Sequence, residues 1–222
     1  TKQEVKEERK TFEGDPLIKS RLKQRMREIM SQNISKLIPK ADVLIVNPTH
    51  FAVALQYDRQ TMGAPKVIAK GQDNMALKMK EIANSVFFSY VAEEITEGKS
   101  VILRVKGKSM VPFLHEGDII TLIPCDKNSL QVGDIVLFRY RKNYFLHRII
   151  KKNKEKLILQ GDAIIRVKEK TTTKRVIALL QQVERKNGKI INCRSLAWKL
   201  RFYVWFFVKA IRSGVLMSTK KQ

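Results

Sequence analysis

Pro48 interrupts an otherwise continuous strand-like run, "ADVLIVNPTHFAVAL" at residues 41–55. Proline has no backbone N–H to give to a β-ladder and its ring fixes φ, so it cannot hold a paired position inside a strand. The run is therefore expected to fold back on itself, with short strands at 42–46 and 51–56 joined through Asn47-Pro48-Thr49-His50. The same turn has a latent chemistry. An Asn side-chain amide can attack its own backbone carbonyl, close a succinimide ring and expel the proline nitrogen, which would break the chain between Asn47 and Pro48. That reaction needs only a turn that holds the amide close and a neighbour that carries the proton, a part His50 could play. Taken alone, the four residues are better explained as an ordinary turn.

Residues 1–14 form a charged lead. Asp15-Pro16 then supplies a cap and a first-turn proline, and Leu17, Leu22, Met26, Ile29, Met30, Ile34 and Leu37 recur near helical spacing. This predicts an amphipathic helix with a basic opposite face. A third strand is expected at 66–70 and a second helix at 73–86, capped by Asp73, giving an α/β unit. From Ser100 onward the pattern becomes strand after short strand, at 100–106, 118–123, 134–140, 144–151, 156–160 and 174–183. The fold class is α+β: a truncated α/β part at 1–83, then a mainly β domain at 84–222 that ends in an amphipathic, helix-like tail at 196–216.

The 44 Lys+Arg against 21 Asp+Glu favour an anionic partner surface. Most of the excess lies in the second part, with 28 basic and 11 acidic side chains against 16 and 10 in residues 1–83. A nucleic-acid partner is not expected, because no helix-turn-helix, zinc or single-strand-binding signature accompanies the charge. Cys125 and Cys193 lack metal-ligand spacing and read as free thiols; neither a metal nor a cofactor is expected. No signal peptide opens the chain and no run of about 18 uncharged apolar residues occurs, so no membrane span is expected. The first residue, Thr1, reads as the start of a segment cut or processed from something longer.

"IPKADVLIVNPTHFAVALQYD", followed by "APKVIAKGQDNMALKMKEIA", closely resembles the cytoplasmic domain of the export-switch proteins of flagella and type III secretion systems, the FlhB/YscU family. The resemblance covers about residues 1–83 and stops near Ala83, without the family's last strand and closing helices. It implies self-cleavage, with Asn47 as the reacting residue, Pro48 as the new N-terminus, and Thr49 and His50 as turn partners. It also implies secretion-apparatus components as partners and a cytoplasmic location, peripheral to the inner face of a bacterial plasma membrane.

Downstream, "VILRVKGKSMVPFLHEGDIITL" places Ser109 on a turn past a strand, and "VGDIVLFRYRKNYFLHRIIKK" places His147 in a strand before "LILQGDA". A serine hydroxyl attacks only when a base takes its proton; His147 is a candidate base and Asp162 a candidate group to orient it. Each residue alone reads as structural. Their order and spacing, Gly-x-Ser-Met-x-Pro, then His-Arg-Ile, then Gly-Asp-Ala, resemble the signal-peptidase/LexA-like serine peptidases over about residues 84–200. The resemblance implies Ser109 as nucleophile, His147 as base, Asp162 as acidic partner, and a protein or peptide substrate. Histidine stands where bacterial signal peptidases carry lysine. In the tail, Trp198, Lys199, Arg201, Phe202, Trp205 and Phe206 suit a helix lying on an anionic membrane surface, and equally a terminal helix packed on the domain. The sequence therefore reads as a rearranged two-part chain whose leading function is a Ser/His peptidase. The alternatives are a secretion switch whose only chemistry is self-cleavage, or a non-catalytic membrane-surface binder.

Overall fold

The structure, a computed structural model, describes residues 16–47 and 50–218. The charged lead, Asp15, and Pro48 and Thr49 of the turn lie outside the described residues. Two compact units divide the chain, residues 1–87 and 88–222.

In the first unit, α1 (Pro16–Leu37) leads through a short 3-10 turn to β1 (Val43–Asn47), β2 (Phe51–Gln56) and β3 (Lys66–Gln72), an antiparallel sheet with β2 in the centre. Asn47 pairs with Phe51 at the hairpin tip, which is where the proline requires the strands to part. Helix α2 (Asn74–Thr96) follows β3. Alternation along β2 buries Ala52 and Ala54 against Ile34, Ile38, Ala76 and Met79. Gly71 makes room for this contact, since a Cβ there would lie 2.7 Å from Met79 Sδ. The apolar stripe of α1 behaves differently from its pattern. Leu17, Leu22, Met26, Ile29 and Met30 are exposed, because the small core of this unit reaches only as far as Ile34.

Helix α2 runs ten residues past the expected end at 86, since Phe88, Val91 and Ile95 keep helical spacing and pack in the core of the second unit. That unit is built on β4 (Val101–Arg104), β5 (Ile119–Ile123), β6 (Ile135–Tyr140), β7 (Asn143–Asn153), β8 (Lys156–Gln160), β9 (Glu169–Thr172), β10 (Val176–Glu184) and β11 (Ile190–Asn192), closed by α3 (Leu196–Ser218). The strands pair antiparallel in the order β4-β5-β10-β6-β7-β8-β9, with β11 also on β10. Both faces of the sheet carry a core, so period-two alternation sorts each strand between them. On β6, Ile135 and Leu137 enter one core while Val136 and Phe138 enter the other.

Arg148, on β7, is fully buried. Its guanidinium holds Asp162 through two hydrogen bonds, Nε to Oδ1 at 2.9 Å and Nη2 to Oδ2 at 2.7 Å, and donates from Nη1 to the Gly133 carbonyl at 2.7 Å. The rings of Phe113 and Phe202 lie 4.3 and 4.8 Å from its central carbon. Removing one partner of such a pair strands the other charge in an apolar core, which costs about 3–5 kcal/mol. Arg148→Ala is therefore expected to destabilise the second unit by about that amount in denaturant unfolding followed by Trp198 and Trp205 fluorescence.

Both cysteines are free, and burial pushes the Cys193 thiol up to about 12 from its ordinary 9.0. Between those values the unfolded thiol is ionised while the folded one keeps its proton, so stability falls as pH rises through the window. Unfolding midpoints measured from pH 8 upward should fall less steeply for Cys193→Ala than for the wild type.

Candidate functional site

Ser109 sits in the turn that follows β4, where the Val111 N–H donates to the Lys108 carbonyl at 3.3 Å. Its carbonyl accepts the Ala163 N–H at 2.9 Å, which docks the Gly161–Ala163 loop against the serine turn. Gly161 is required there, since a Cβ would fall 2.6 Å from the Ser109 carbonyl oxygen. His147 lies on β7 opposite Val136 of β6, buried beside the rings of Phe145 and Phe138 at 5.6 and 6.2 Å. Ser109 and His147 line one cleft of about 240 Å³, together with Leu103 and Arg104 of β4 and Leu137 and Tyr144 of the central strands.

The acidic partner of His147 differs from the sequence expectation. Asp162 is committed to Arg148 through its bidentate pair, and Glu169 Oε2 on β9 lies 3.1 Å from His147 Nδ1. Adjacent residues of a strand point to opposite faces, so the Asp162 that meets Arg148 cannot also serve His147. Glu169 is buried with the histidine. In the neutral imidazole with Nδ1 donating to this carboxylate, the lone pair lies on Nε2.

The tail residues proposed to meet lipid divide by helix face. Trp198 and Phe202 are buried in the domain core, and the Trp205 indole N–H donates to the Asp162 carbonyl at 3.2 Å. These three are therefore packing residues, and the expectation that they contact a membrane is corrected. Lys199 is half-buried and reaches Gln131 Oε1 at 3.3 Å, whereas Arg201 and Phe206 remain exposed. On the same inward face, Lys209 Nζ donates to the Gly161 carbonyl at 2.9 Å and to Gln160 Oε1 at 3.1 Å, and burial lowers its pKa. Helix α3 thus clamps the loop that carries Asp162. The opposite face of α3 exposes Leu196, Leu200, Tyr203, Val204, Phe207 and Ile211. Among the described residues, no helix is long and apolar enough to cross a membrane, and no cluster of His, Cys, Asp or Glu has the arrangement of a metal site.

In the first unit, the His50 N–H donates to the Asn47 carbonyl at 3.3 Å and so closes the turn. That carbonyl is the one the Asn47 amide would attack, and a donor on its oxygen raises its electrophilicity. Sequence reasoning missed the neighbour that places His50. Asp73 Oδ1 lies 3.3 Å from His50 Nδ1, and the Asp73 N–H donates to the His50 carbonyl at 2.7 Å. Asp73 was legible only as a helix cap; its φ of 49°, in the left-handed region, is what turns it toward the hairpin.

Comparison with known proteins divides the chain as well. Residues 1–94 match the family model described as the FlhB HrpN YscU SpaS Family, and residues 56–164 match that described as Peptidase S24-like. The two matches overlap across β3 and most of α2. The flagellar biosynthetic protein FlhB of Borreliella burgdorferi is 63% identical over 83 residues, covering 37% of this chain and 22% of that protein. The Bacillus subtilis FlhB is 53% identical over 83 residues, again 37% of this chain and 23% of the relative. The chain thus spans about a fifth of the length of the curated relatives it matches. A solved structure, the cytoplasmic domain of FlhB from Shewanella putrefaciens, is 42% identical, covers 26% of this chain and 43% of its own, and has a TM-score of 0.24. The first part of the chain resembles the FlhB HrpN YscU SpaS Family, and the part that holds Ser109, His147 and Asp162 resembles Peptidase S24-like proteins.

Proposed function

We propose that the second unit is a serine peptidase in which Ser109 is the nucleophile, His147 the general base and Glu169 the group that orients the imidazole. One observation carries this reading: Ser109 and His147 open onto the same cleft, and the histidine is fixed through Nδ1 by a buried carboxylate. His147 Nε2 takes the Ser109 hydroxyl proton as Oγ bonds to the substrate carbonyl carbon. The same nitrogen returns that proton to the departing amine, and water then hydrolyses the acyl-serine. Asp162 acts through Arg148, as a structural pair that fixes the loop behind Ser109. The likeness of the first part to FlhB supports secretion-apparatus components as partners and a place on the cytoplasmic side of a bacterial membrane.

Hydrolysis of peptides with small residues before the scissile bond is the test, with a serine-reactive probe to map the nucleophile. Ser109→Ala and His147→Ala are each expected to lower kcat/KM by about a thousandfold or more, and the double variant no further, because the two act as one unit. Glu169→Gln should cost less, on the order of a hundredfold, since the carboxylate orients rather than reacts. Turnover that survives Ser109→Ala, or a probe adduct on another residue, overturns the assignment.

A second reading concerns the hairpin, where the closed turn at Asn47 and the Asp73–His50 contact support cleavage between Asn47 and Pro48. The amide nitrogen of Asn47 bonds to its own carbonyl carbon, the bond to the Pro48 nitrogen breaks, and His50 relays the proton to that nitrogen. Denaturing mass measurement should find the two fragments in the wild type and only intact chain in Asn47→Ala. A wild-type chain that stays whole through prolonged incubation at neutral to mildly alkaline pH removes this reading.

A further inference from the structure

We infer that the substrate of the Ser109 cleft carries an acidic segment to one side of the bond to be cleaved, held by a basic track that leads away from the cleft. The inference rests on the peptidase reading and adds the substrate class. Tyr144 lines both the Ser109–His147 cleft and a neighbouring one of about 620 Å³. The second cleft presents Arg139, Arg141, Lys174 and Arg175, and no carboxylate lines it. Arg175 in turn lines a third cleft of about 560 Å³ with Lys151, Lys156 and Lys170, again without a carboxylate. The second cleft thus shares Tyr144 with the Ser109 cleft and Arg175 with the third.

Strand register places several of these cations. Arg139 stands opposite Tyr144 across β6 and β7; Ile158 of β8 pairs with Lys151 on one side and Lys170 on the other. Gathering like charges on one sheet face costs stability, and the nearby acids do little to offset it. Glu169 is turned inward to His147, and Glu155 reaches only Lys174, at 3.8 Å between two largely exposed side chains.

Among polyanions, the geometry favours a polypeptide. A flat bilayer does not enter concave clefts. A single-stranded nucleic acid binds largely by stacking its bases on free aromatic faces. Here the Tyr144 ring is stacked on Phe88 at 4.8 Å, and Arg141 lies 5.6 Å from the centre of the Tyr140 ring. An extended peptide with Asp or Glu side chains continues the course of a chain already seated in the Ser109 cleft.

The test uses the full chain carrying Ser109→Ala and fluorescent peptides with a small-residue core, extended on either side by six Glu or six Gln. The Glu extension on one of the two sides should bind about tenfold or more tightly than its Gln counterpart, and salt should erase the difference. Combining Arg139→Gln, Arg141→Gln and Arg175→Gln should weaken the Glu peptide about tenfold, the sum of three modest partly exposed ion pairs, and leave the Gln peptide unchanged. Lys151→Gln with Lys156→Gln and Lys170→Gln, a variant at the far end of the track, should act in the same direction. In the active chain the Glu extension should lower KM with little change in kcat. Equal binding of Glu and Gln peptides, or no effect of either set of substitutions, overturns the inference while leaving the peptidase reading intact. Binding of the Glu peptide without hydrolysis of any peptide overturns the peptidase reading and the substrate role with it. Displacement of the Glu peptide by a single-stranded oligonucleotide or by anionic vesicles at lower concentration, through the same arginines, assigns the track to those partners instead.

Discussion

The buried pair between Arg148 and Asp162 is the constraint on which the second unit depends. A fully desolvated guanidinium is tolerable only when its donors are met, and here a carboxylate and the Gly133 carbonyl meet them while two aromatic rings cover its faces. Arg148 stands on β7, and its four partners come from the turn before β6, the loop after β8, the segment after the Ser109 turn, and α3. Satisfying one charge therefore fixes five segments at once. The Gly161–Ala163 loop held in this way is the one that touches the Ser109 carbonyl.

His147 and Arg148 are neighbours in sequence with separate surroundings. The period-two alternation of β7 sends the imidazole to one face, against Glu169 and the ring of Phe145, and the guanidinium to the other. The same alternation explains why Asp162, in the Gly-Asp-Ala stretch, meets Arg148 and not His147. Asp162 follows a glycine in a loop that folds toward the Arg148 face. Glu169 arrives by a longer route, on a strand that pairs with β8 through Leu159.

Much of the architecture was legible because it rests on local rules. Pro48 required the hairpin, alternation of apolar residues marked β5 to β8 and β10, and the helical spacing of Leu17 to Leu37 predicted α1. What escaped the sequence depends on contacts distant along the chain. Strand β9 reads "EKTT", four polar residues without an apolar face, and it is a strand only because β8 supplies the pairing. Glu169 was hidden with it. In the tail, aromatic residues separated by cations fit a lipid surface as well as a protein core, and only the packing of Trp198 and Phe202 against the domain separates the two. The stripe on α1 fails in the opposite sense: its periodicity is correct for a helix, but the first unit provides too little apolar surface to cover it.

The two candidate chemistries place different demands on the fold. Succinimide formation at Asn47 is intramolecular, so the attacking nitrogen, the carbonyl and the leaving nitrogen are covalently held within two residues, and proximity is already supplied. The first unit supplies a three-stranded sheet, one hydrogen-bonded turn and an exposed contact between His50 and Asp73. Peptide hydrolysis by Ser109 instead requires a nucleophile and a base from segments far apart in sequence to be held in register. Their imidazole has to be oriented from behind, where water would otherwise compete for Nδ1. Around a cleft of about 240 Å³ the larger unit brings together a buried ion pair, a helix that clamps the Asp162 loop and a polar edge strand that carries the partner of His147.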